Sequence, residues 1–169
     1  MKSVAKLYLK AAALFAMSIV GTGAAVAADL TRVFYPNEAQ MAFTVDVPTG
    51  WEMTPQEDAD GYFEVAGPNG LELSFRVVPG SDIKQAVQDH VDYLEENFSE
   101  VQAEEAKEIK INGLDALLMS AKALDEDEVK RDLGAGWFIL AGGQIGELWY
   151  NDQAGKAAAI AVLRSLKGK

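Results

Sequence analysis

Residues 62–78 read YFEVAGPNGLELSFRVV, and this stretch decides the fold. Tyr62–Ala66 is a short strand by its apolar and β-branched content. Gly67-Pro68-Asn69-Gly70 is a turn, because Gly and Asn tolerate a positive φ and Pro presets the bend. Leu71–Val78 then runs back antiparallel. It places Leu71, Leu73, Phe75 and Val77 on one face and Glu72, Ser74 and Arg76 on the other. Such a hairpin needs a layer against its apolar face. The next segment supplies a helix over Asp82–Ser99. Asp82 is its cap, Gln85 stands three residues on, and Ile83, Val87, Val91, Leu94 and Phe98 form a stripe.

Upstream, Met41–Val47 alternates as a half-buried strand that Pro48-Thr49-Gly50 ends before Trp51. Downstream, Ile109–Ile111 alternates into an Asn112-Gly113 turn, and Leu114–Ala123 follows as a strand. Its Leu, Ala and Met content keeps a helix open as an alternative. Asp125–Glu128 breaks the pattern. Arg131–Ala141 holds the apolar run Trp137–Leu140, Gly142-Gly143 turns it, and Gln144–Tyr150 is a further strand. A terminal helix spans Gln153 to about Lys167. Strands joined by such short turns are antiparallel. The expectation is an α+β fold in which an antiparallel sheet is flanked by two helices.

Residues 1–28 have the three parts of a secretory signal. Lys2, Lys6 and Lys10 precede the apolar run Ala11–Val20, and Ala25-Val26-Ala27 gives a small-x-small cleavage pattern. Cleavage is expected after Ala27 or Ala28. An uncleaved anchor is the competing reading, because no charge falls between Ala11 and Ala28. Gly21, Thr22 and Gly23 make its second half weakly apolar, and no basic flank follows. Residues 29–169 then form one domain. The chain has 26 Asp and Glu, all beyond residue 28, and three of its 15 Lys and Arg lie before it, which leaves −14 on the mature part. That charge opposes nucleic acid and anionic lipid as partners. Stable membrane association is not expected after cleavage. With no Cys, the chain has neither a disulfide framework nor a lipid attachment point.

Three segments resemble the PsbP-like fold superfamily. They are Phe43–Trp51 (FTVDVPTGW), Ile111-Asn112-Gly113-Leu114 followed by Ala116, and Leu163–Lys167 (LRSLK). The resemblance spans about residues 41–167. That superfamily includes the luminal extrinsic subunit of photosystem II, a Ran-binding nuclear transport factor and a bacterial domain of unknown function. It shares no catalytic residues, so the resemblance implies a scaffold or accessory role and no active site.

The residues themselves point the same way. His90, the one histidine, has Asp89 and Asp92 beside it but off its helical face, so it reads as a partly exposed helix residue. Asp125, Asp127 and Glu128 are the candidate cation ligands, yet the loop lacks the EF-hand pattern and Lys130 and Arg131 follow. Glu57, Asp58 and Asp60 form a second acidic loop. No Ser lies in a nucleophile elbow, and no glycine run continues as a phosphate loop. Trp51, Trp137 and Trp149 are candidates for a partner face, because each of the pairs Trp137-Phe138 and Trp149-Tyr150 must turn one ring away from a given core. A second helix covering the other sheet face is the alternative. The expectation is an exported, non-enzymatic binding or accessory protein of the bacterial envelope, with a protein or small-molecule partner and no cofactor. The alternative is a divalent-cation-binding protein or a cation-dependent enzyme.

Overall fold

Asn69 and Gly70 do adopt positive φ, 60° and 77°, and the turn closes with Gly67 N–H donating to Leu71 O at 2.7 Å. The computed structural model describes residues 29–54, 61–152 and 156–169. The leader with Ala27 and Ala28, the loop with Glu57, Asp58 and Asp60, and Gln153, the expected start of the terminal helix, lie outside the described residues.

In chain order the elements are β1 (Leu30–Tyr35), β2 (Phe43–Pro48), β3 (Glu52–Thr54), β4 (Phe63–Ala66) and β5 (Glu72–Val78). Then come α1 (Ile83–Asn97), β6 (Ser99–Ala103), β7 (Lys107–Ile111), β8 (Leu114–Leu124), β9 (Lys130–Ile139) and β10 (Ile145–Asp152). The chain closes with α2 (Lys156–Ser165) and β11 (Lys167–Gly168). The large sheet runs β3-β4-β5-β10-β9-β8-β6, with β7 also on β8. A second, three-stranded sheet runs β1-β2-β11. Every pairing among the described residues is antiparallel.

The fold is therefore α+β, as expected, but the large sheet is not simply held between two helices. One face carries α2 together with the small sheet. Phe43, Val45 and Val47 of β2 and Val162, Leu163 and Leu166 of α2 pack there on Leu73, Phe75, Phe138 and Leu148. The other face carries α1, whose Ala86 and Leu94 pack on Met119, Ala121, Leu133, Ala135, Trp137 and Ile145. Three of those sheet positions are alanine or methionine, which lets α1 lie close. The helical composition of Leu114–Ala123 is overridden because β8 is paired on both edges, by β9 on one side and by β6 and β7 on the other.

Local chemistry fixes the ends of these elements. Asp82 accepts from Lys84 N at 2.9 Å and Gln85 N at 3.3 Å, which satisfies two free donors of α1. Asp82→Ala will cost about 1 kcal/mol in urea unfolding; no change in the midpoint would show that the cap is dispensable. The β7–β8 turn has Asn112 at φ 48° and Gly113 at φ 89°, the conformation that an Asn-Gly hairpin requires. The Asn112 side chain donates to Arg164 O at 2.8 Å and to Leu166 O at 2.7 Å, and so closes the end of α2. Ser165 Oγ accepts from Asp46 N at 2.7 Å. The three segments that resemble the superfamily thus meet at one place, the C-terminal end of α2.

Candidate functional site

The α1-facing side of the large sheet carries an unusual row. Strand register aligns Arg76 of β5 with Glu147 of β10, Trp137 of β9 and Leu117 of β8. Tyr62, just before β4, stands beside Arg76 at the end of the row. Apolar residues would normally fill such positions under a helix. Here the Glu147 side chain is only 1% exposed, and its burial requires partners.

It has them. Glu147 Oε2 accepts from Arg76 Nε at 2.6 Å and from the Tyr62 hydroxyl at 3.3 Å. Oε1 accepts from Trp137 Nε1 at 2.9 Å. The Arg76 guanidinium also lies over the Tyr62 ring, 4.5 Å from its centroid, in cation–π contact. Charge-assisted bonds of this kind are among the stronger ones in proteins. They keep both carboxylate oxygens occupied.

α1 lowers His90 onto this row. His90 is 6% exposed rather than partly exposed as its sequence neighbours imply. The reason is that the helix stripe of Ala86, His90 and Leu94 faces the sheet. Its ring meets Trp137 edge-to-face at 5.4 Å. Nδ1 stands 3.7 Å from Glu147 Oε1, beyond hydrogen-bond reach, and Nε2 has no partner. Burial pushes the imidazole pKa down; Glu147 opposes this and Arg76 adds to it. The Tyr62 phenol is pushed up, by burial first and then by Glu147, so it remains a hydrogen-bond donor.

The His90 shift has a consequence for stability. The unfolded chain takes up a proton near the ordinary value of 6.5, which the folded site resists. The contribution of neutral His90 is complete above that value and is lost as pH falls through it toward the lowered folded value. Thermal midpoints will therefore drop between about pH 8 and about pH 5, and the drop will be smaller in His90→Gln. Equal drops in the two proteins would place the pH dependence elsewhere.

The tryptophans do not share one exposed face. Trp137 has no exposed surface and lies at the centre of the Glu147 cluster. Trp149 is half-buried on the same side of the sheet, and its Nε1 has no partner. Trp51 is half-buried against the opposite core. Both sheet faces are covered, so the ring turned from one core enters the other. Asp125 is consumed by its own turn. Its Oδ1 accepts from Asp127 N at 3.0 Å and Val129 N at 2.8 Å, and its Oδ2 binds Arg131. Asp127 and Glu128 are exposed, and no group of three metal-ligating side chains converges among the described residues. A groove of about 400 Å³ is lined by no member of the Glu147 cluster. Tyr35, Pro36, Gln40, Val77, Pro79 and Gln144 line it, and none of these carries a charge.

Sequence reading missed Glu147, Arg76 and Tyr62 as a unit. One signal was available: Glu147 is an acid between Ile145 and Trp149 on the apolar phase of QIGELWY.

No family model matches the sequence, and no curated protein matches it. The structure superposes on cyanobacterial PsbP (CyanoP) from Synechocystis sp. PCC 6803 with a TM-score of 0.60 at 13% identity. The match covers 88% of this chain and 98% of that one. The fold is PsbP-like. A second PsbP-like match, to PA94 of Pseudomonas aeruginosa, a protein of unknown function, has a TM-score of 0.52 at 12% identity and covers 83% and 97% of the two chains. At these identities the likeness extends to the fold alone. Among the described residues, no helix is long and apolar enough to cross a membrane.

Proposed function

We propose that this chain is an exported, non-enzymatic binding or accessory protein of the bacterial cell envelope, released from its leader after Ala27 or Ala28. One observation carries the non-enzymatic part. The nearest thing to an acid–base constellation, His90 with Glu147, is sealed beneath α1, and three donors already hold the carboxylate. A general base must reach the proton it abstracts, and neither group is open to a substrate. The leader sequence and the PsbP-like fold support the envelope assignment. The purified exported protein will turn over no member of a broad panel of ester, amide, phosphate and glycoside substrates. Crosslinking in envelope extract will capture a partner. Turnover that Glu147→Gln or His90→Gln abolishes would overturn this reading.

A further inference from the structure

We infer that the outer edge of Arg76, beside the Tyr62 ring, is a binding site for the carboxylate of a monoanionic organic acid. This rests on the reading of the chain as a binding protein and names its ligand class. Glu147 accepts its hydrogen bond from the Nε of Arg76. The two Nη nitrogens have no protein partner among the described residues. The side chain is 29% exposed, so this edge is open to solvent. A guanidinium held at Nε by a buried carboxylate and at its face by the Tyr62 ring is fixed in place. Its remaining edge is a parallel pair of N–H donors, which fits a planar carboxylate bidentately. Rigid donors bind without the cost of ordering a flexible arginine.

The surroundings select the ligand further. Tyr93 of α1 is 47% exposed and lies 6.3 Å ring to ring from His90. The Tyr62 ring beside the cation suits an apolar or aromatic ligand body. A dianion is disfavoured, because Glu147 already balances the one cation and the mature chain carries a large negative charge. The charged and titratable groups around His90 are Glu147 of β10, Arg76 of β5 and the Tyr93 phenol. A carboxylate on Arg76 adds negative charge there and makes protonation of His90 easier. By linkage, the ligand binds more tightly at low pH.

The test uses the untagged exported protein, in which His90 is the single histidine and an unambiguous NMR probe. Titration with sodium benzoate at constant ionic strength will give saturable shifts of the Arg76 Nε–H and Trp137 Nε1–H signals and raise the His90 pKa. Acetate will move the same signals with weaker affinity, and inorganic phosphate will give no saturable shift. Arg76→Lys, which keeps a cation for Glu147, will weaken benzoate binding about tenfold or more. Non-saturating benzoate shifts, wild-type affinity in Arg76→Lys, or preference for phosphate would each overturn the site. Failure here with an envelope partner still captured leaves the binding-protein reading standing; enzymatic turnover defeats that reading independently.

Discussion

Glu147→Ala will destabilise the protein by about 3–5 kcal/mol in denaturant unfolding, the range for breaking a buried ion pair from one side. The change leaves Arg76 partly buried without its counter-ion and leaves Trp137 Nε1, in a side chain with no exposed surface, without an acceptor. It also opens a void under α1. Glu147→Gln keeps the shape and one acceptor oxygen, so its loss will be smaller. Arg76→Met with Glu147→Leu removes both charges and fills the space, which is often neutral for buried pairs. Here the Trp137 N–H still lacks an acceptor, so the double variant will lose about 1–3 kcal/mol. A loss under about 1 kcal/mol in Glu147→Ala would mean that the cluster adds specificity rather than stability.

That cluster shows where sequence reading stops. Its members come from positions 62, 76, 90, 137 and 147, and the Tyr62–Glu147 bond spans 85 residues. No local period can bring such residues together; only the order β4-β5-β10-β9 does so. Once that order is known, the two-residue strand period aligns Arg76, Glu147 and Trp137. The Tyr62–Val78 hairpin and the α1 helix were legible because their signals are local: alternation, an Asn-Gly turn and an Asp cap. β6 was not, since Ser99–Ala103 is exposed at all but one position and so carries no alternation. β1 and β11 owe their structure to β2 rather than to any pattern of their own. The choice between a partner face and a covered face for the tryptophans stayed open for a related reason. Alternation tells which two rings point apart, but not that a small sheet and α2 cover one side while α1 covers the other.

Gly146→Ala is expected to be nearly as damaging as Glu147→Ala, with no charge involved. Gly146 faces Phe138 across the β10–β9 pair, and the ring lies directly over the glycine, so a Cβ there would fall well inside van der Waals contact with three ring atoms. An aromatic ring covering a cross-strand glycine is a known way to pack a sheet. Phe138 cannot swing away, since it is fully buried and Phe43 abuts it edge-on at 5.2 Å. The expected loss is about 3 kcal/mol, at the upper end for overpacking a core. Gly136→Ala provides the contrast. Its Cβ would meet the flexible end of Leu118 at 2.8 Å, so a small side-chain shift will absorb most of the clash. Phe138→Leu should partly rescue Gly146→Ala while costing stability on its own. The two changes will therefore couple favourably by more than about 1 kcal/mol in a double-mutant cycle. Additive losses would show that the glycine serves backbone twist at the centre of the sheet rather than room for the Phe138 ring.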